Sequence, residues 1–158
     1  MGLFVLLAIL NALPCAGQTV AIIKFPQLQE LMGKQNDTTY IFNFWATWCG
    51  PCVKEFPEFQ ALSSTYAGKK VKFIFISLDF KKDFETALIP FLAKHNVKDD
   101  VFLLDEPDYN SWIDKVETAW NGDLPSTVIL NNARKIKQLY PHEFTYEELD
   151  KIIKPIVQ

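Results

Sequence analysis

Apolar and polar positions along the chain fall into two alternating rhythms, one of strands and one of helices. Thr39 to Trp45 is aromatic and β-branched with one polar interruption, Asn43, and predicts a buried strand. Pro51 to Tyr66 then places Val53, Phe56, Phe59, Leu62 and Tyr66 at helical spacing. Val71 to Leu78 is a second apolar run, followed by a helical stretch from about Asp83 to Lys94. This alternation implies an α/β domain with a parallel sheet at its core. Further on, Val101 to Leu104 predicts a short strand, Trp112 to Val116 a helical turn, and Thr127 to Leu130 a strand after Pro125. Lys135 to Tyr140 follows across the turn-like Asn131-Asn132 and reads as the second arm of a hairpin. Thr145 and Glu148 form a capping box for a last helix, whose buried face is Leu149, Ile152, Ile153 and Ile156.

Ahead of these elements, Gly2 to Gly17 is apolar or small except for Asn11. That run is short for a bilayer span and suits the core of a signal peptide. Cys15, Ala16 and Gly17 before Gln18 fit a cleavage site, so residues 1–17 are expected to be a leader and 18–158 one domain, exported and periplasmic. Lipid anchoring through Cys15 is the less favoured alternative, because Ala12-Leu13-Pro14 is a poor context for it.

Composition agrees with a single packed domain. The chain has 158 residues, 49 % of them hydrophobic, with thirteen Phe and four Trp, which is ample for one core. A formal charge of −3 and dispersed lysines give no footprint for nucleic acid, so proteins are the expected partners. Neither internal repeats nor low-complexity segments interrupt it.

The candidate chemistry lies where the first predicted strand meets its helix, at Cys49-Gly50-Pro51-Cys52. A helix start leaves backbone N–H groups unpaired and carries the positive end of the dipole, which favours the thiolate of the first cysteine. Thiolate is the attacking species in disulfide exchange, and two intervening residues let the second sulfur close on the first. A structural zinc site would need further ligands, and Cys15, His95 and His142 are not paired at matching spacing. A purely stabilising disulfide is a poor use of so short a loop, since it barely constrains the unfolded chain. No metal or organic cofactor is called for. His95 and His142 are far along the chain from the cysteines and read as structural or solvated.

The run Asn43-Phe44-Trp45-Ala46-Thr47-Trp48-Cys49-Gly50-Pro51-Cys52, the Glu55 and Pro57 that follow it, and Leu124-Pro125-Ser126-Thr127 together resemble the thioredoxin superfamily. The similarity is greater to its exported TlpA/ResA-like branch. It covers Phe25 to Gln158 and implies a thioredoxin-like α/β fold, a central mixed sheet flanked by helices. The long span from Asp79 to Pro125 leaves room for the helix and strand that this branch inserts before its cis-proline.

What the resemblance implies for chemistry falls on named positions. Cys49 would be the nucleophile and Cys52 the resolving cysteine. Pro51 suits the first helical turn, and Gly50 lets substrate backbone approach. A cis Pro125 would expose the backbone of Leu124 to an extended substrate chain, and Trp48 would shape the apolar rim. Thioredoxin carries a buried Asp at the place matched by Asn43, so the proton must be handled elsewhere. Glu55, three residues after Cys52, and Asp79, at the end of a strand, are the two candidates.

Gly-Pro between the cysteines resembles reducing thioredoxins, whereas oxidants of the DsbA type have a His there. A reductant in an oxidising compartment needs a membrane-embedded electron donor, and this branch serves cytochrome c maturation or general disulfide repair. Oxidase or isomerase activity is one alternative. A peroxiredoxin-like peroxidase is another, though it would carry Thr-x-x-Cys, and here Thr47 stands two before Cys49. A redox-silent docking domain would need neither cysteine.

Overall fold

A computed structural model of the chain describes residues 19–157; the expected leader, Cys15 and Gln158 lie outside them. Six strands, β1 (Val20–Ile23), β2 (Thr39–Trp45), β3 (Val71–Ser77), β4 (Asp100–Leu104), β5 (Ser126–Asn131) and β6 (Ile136–Tyr140), form one sheet in the order β1-β4-β3-β2-β5-β6. Strands β1, β4, β3 and β2 run parallel, and β5 and β6 add antiparallel at the β2 side. The helices are α1 (Phe25–Met32), α2 (Gly50–Thr65), α3 (Ile89–Lys94), α4 (Ile113–Val116) and α5 (Tyr146–Ile153). This is the expected mixed sheet with helices on both faces, and the insertion between β3 and β5 holds the helical segment before α3's end, β4 and α4.

All seven residues of β2 are buried, because the strand is central and covered on both faces. Its alternation splits the core in two. Ile41 and Trp45 join Phe56, Phe59, Leu149 and Ile153 on the α2–α5 side. Phe42 and Phe44 join Leu28, Trp112 and Trp120 on the opposite side. A side-chain period of two thus decides which layer each residue enters.

Some boundaries differ from the sequence reading. Two elements precede Thr39 that the pattern did not predict. Strand β1 is only four residues and is defined by its pairing with β4 rather than by alternation, and α1 begins at Phe25-Pro26 with proline in its first turn. The stretch read as one helix is instead a 3₁₀ turn at Lys81–Asp83, a π-helical turn at Phe84–Leu88, and α3. Pro90 has no N–H for the carbonyl four residues back and its ring crowds that carbonyl, so a wider turn precedes it. Lys135 has φ 55 and completes the hairpin turn instead of starting β6. The capping box of α5 is formed, with Thr145 Oγ1 accepting from Glu148 N at 3.3 Å. Leu149 and Ile153 are buried beneath it, while Ile152 and Ile156 are half-buried against the same core.

Candidate active site

Strand β2 ends at Trp45, and the tight turn after it is closed by Cys49 N donating to Ala46 O at 3.1 Å. Cys49 has extended backbone and is the N-cap of α2; its Sγ accepts from Cys52 N at 3.3 Å. A sulfur that receives a helix N–H is in the place where thiolate is favoured. Pro51 occupies the first turn, where a missing N–H costs nothing. Cys49 and Cys52 are joined as a disulfide with Cα atoms 5.3 Å apart. The two sulfurs are not equivalent in access: Cys49 is 7 % exposed and Cys52 1 %.

A groove of about 590 Å³ opens beside Cys49, bordered by Trp48, Leu78, Tyr109, Ile113 and Leu124 among others. Trp48 is 59 % exposed, so it stands at the rim instead of packing under the dithiol. The Leu124–Pro125 peptide bond is cis, as the resemblance implied, with Pro125 buried at the start of β5. Gly50 faces open space, where even a Cβ would meet nothing within 4 Å. Trp48, Cys49 and Leu124 are therefore brought to one groove, with Gly50 and Pro51 exposed at the adjoining helix start. Sequence reasoning missed Tyr109, Ile113 and the Asn121–Asp123 turn on its far side. The Asn-Gly-Asp triplet was the available signal for that turn, since Gly122 has φ 89 and lies close against Ile113.

Glu55 is 3 % exposed, so it is not a solvated helix residue. Its Oε1 accepts from the Asn43 amide at 2.9 Å and its Oε2 from Phe144 N at 2.8 Å. The Asn43 amide also donates to Thr127 Oγ1 at 3.3 Å, tying β2 to β5. Burial pushes the Glu55 carboxyl up to about 7; the N–H of Phe144 and the amide of Asn43 oppose that rise, and the neighbouring Glu143 charge adds to it. Three positions separate it from Cys52, which puts both on one face of α2. Asn43 thus replaces an ionisable group with a donor that holds one. A buried amide between two phenylalanines must find partners, and that is the signal from which its bond to Glu55 could have been sought.

Asp79 is differently served. Both of its oxygens lie 3.1 Å from Thr47 N, the Thr47 hydroxyl donates to Oδ1, and the Ser77 hydroxyl donates to Oδ2 at 2.7 Å. It caps no following helix; the 3₁₀ turn after it has Phe80 at its N-cap. Instead it fixes the end of β3 to the turn that presents Trp48 and Cys49.

A Cys-x-x-Cys pair closed as a disulfide at a helix start, on this sheet, makes the protein a thiol–disulfide oxidoreductase of thioredoxin-like fold. The chain belongs to the Redoxin family, whose model matches residues 14–153. It is 29 % identical over 130 residues to the thiol-disulfide oxidoreductase ResA of Bacillus cereus, covering 82 % of this chain and 68 % of the relative. A thioredoxin of Malassezia sympodialis is 40 % identical over 58 residues, 37 % of this chain and 53 % of that one. Among solved structures, a thioredoxin-related protein from Neisseria meningitidis serogroup B superposes with a TM-score of 0.66 at 23 % identity, over 79 % of this chain and 89 % of that one, a likeness of fold.

Proposed function

We propose that the protein reduces disulfides in other proteins outside the cytoplasm, using Cys49 as nucleophile and Cys52 as resolving cysteine. The observation that carries this reading is the division of the dithiol: Cys49 borders the groove, while Cys52 is hidden on the same helix face as Glu55. In the reduced protein the Cys49 thiolate attacks a substrate disulfide, and one substrate sulfur leaves as thiolate. Cys52 then gives its proton to the Glu55 carboxylate, and its thiolate attacks Cys49 Sγ. The second substrate sulfur departs, both substrate thiolates take protons from water, and two electrons have passed from the dithiol to the substrate. Asp79 contributes by holding Thr47, and through it the turn that aims Cys49.

Trp48, Gly50 and Pro51 border the incoming chain on one side. Leu124 and Pro125 do so on the other, where the backbone before β5 offers strand-like pairing. Direction follows from Gly50-Pro51: no titratable side chain lies between the cysteines to stabilise the thiolate as strong oxidants require. Recharging the pair calls for a membrane-embedded electron donor, and components of cytochrome c maturation are the partners that the resemblance to the TlpA/ResA-like branch implies. Equilibration of the Cys49–Cys52 couple against graded thiol buffers tests the direction. A potential near that of thioredoxin, about −270 mV, is expected, and one near that of DsbA, about −120 mV, would make the protein an oxidant.

A further inference from the structure

We propose that Glu55 exchanges its proton with water through a cleft between α2 and α5, separate from the groove that receives substrate. The inference rests on the reading that Glu55 takes the proton of Cys52. The cleft holds about 310 Å³ and is lined by Lys54, Glu55 and Glu58 of α2, by Glu143 and Phe144, and by Glu148 of α5. The groove beside Cys49 shares no residue with it and includes neither Cys52 nor Glu55.

The carboxyl of Glu55 spans from the core to that cleft. Its Oε1 is turned inward to Asn43 on β2, and its Oε2 is bonded to the N–H of Phe144, which forms part of the cleft wall. When a substrate is disulfide-linked to Cys49 it covers the groove, and a proton leaving Cys52 must reach water by another way. The cleft provides one, with acceptors at its mouth. Glu143 is ion-paired to Lys54 at 3.1 Å, Glu148 is held by the Thr145 N–H at 3.0 Å, and Glu58 is half-buried on the α2 wall. His142 adds its charge from the segment before α5, lowering Glu55 while Glu143 raises it. Substrate and proton therefore leave by separate openings, and the resolving step proceeds while the groove is filled.

The test follows the Glu55 carboxyl carbon by NMR through a pH titration, in full-length Cys52→Ser protein with and without an apolar cysteine peptide disulfide-bonded to Cys49. The signal is assigned by its loss in Glu55→Gln. An unchanged midpoint with the groove filled is expected, together with a downward shift of about half a unit or more in Glu58→Lys/Glu143→Lys, where the mouth becomes positive. A rise on filling the groove shows that Glu55 meets water there and overturns the inference, as does indifference to the double reversal. Failure of the underlying reading looks different: Glu55→Gln would then leave the pH dependence of the resolving step, followed by stopped flow in otherwise native protein, unaltered.

Discussion

Two buried carboxyls flank the dithiol, and the donors around them set them apart. Asp79 sits in a turn where three donors, the N–H and hydroxyl of Thr47 and the hydroxyl of Ser77, converge on a short side chain. Glu55 sits between a helix and a sheet, where, among the described residues, only the Asn43 amide and the Phe144 N–H reach it, one on each oxygen. A carboxylate has about four acceptor sites, so two remain open on Glu55 in surroundings that disfavour charge. Burial alone makes neither residue reactive. A carboxyl held from three directions suits a fastener, and we propose that the one held more loosely, by two donors in an apolar place, takes the proton of Cys52.

The largest effect removes what both regions serve. Cys49→Ser is expected to abolish reduction of a model protein disulfide, and measurable turnover in that variant would place the chemistry elsewhere. Next comes Glu55→Gln, which separates the two carboxyls by pH. The folded Glu55 pKa, about 7, lies above the ordinary 4.5, so the native state binds more protons than the unfolded one between these values. Stability is therefore full below about pH 4.5 and falls as pH rises toward 7, by about 3 kcal/mol in all. Urea unfolding of the oxidised protein at pH 5 and pH 8 should show this loss in the native sequence and most of it gone in Glu55→Gln, the Asp99 carboxyl, also raised by burial, contributing equally to both. The same variant should lose the pH step near 7 in the resolving reaction and slow it tenfold or more at pH 8.

Asp79→Asn is expected to act oppositely. Replacing one acceptor oxygen by an amide leaves a hydroxyl or N–H of the turn unserved, at a cost of about 1–2 kcal/mol in unfolding experiments. Attack by Cys49 should slow several-fold because its turn loosens, while the step near pH 7 stays. A vanished step would transfer the proton role from Glu55 to Asp79.

This distinction was only half legible in the sequence. Strands β2 and β3 announced themselves because buried parallel strands are continuous apolar runs, and the dithiol because two cysteines at a helix start have few other uses. The short β1 escaped because an edge strand of four residues carries almost no period of its own. Glu55 was legible as a position on the Cys52 face of α2 but not as a buried group. Its burial depends on Phe144, 89 residues away in the chain, closing over it. Nor could Asp79 be told from a helix cap, since its partners Thr47 and Ser77 meet only once β2 and β3 pair.

The smallest effect bears most finely on the comparison. Lys54 pairs with Glu143 at 3.1 Å, but with side chains 75 % and 46 % exposed the pair is well screened. Lys54→Ala should change stability by less than about 0.5 kcal/mol. It nevertheless leaves the Glu143 carboxylate uncompensated at the cleft beside Glu55, so the Glu55 midpoint should rise by a few tenths of a unit while the rate of Cys49 attack, set at the Asp79 turn, holds still. A destabilisation of 2 kcal/mol or more would instead make the pair a clamp between α2 and the segment before α5. The cleft would then be a closed seam, and the looseness that distinguishes Glu55 from Asp79 would have to come from the missing donors alone.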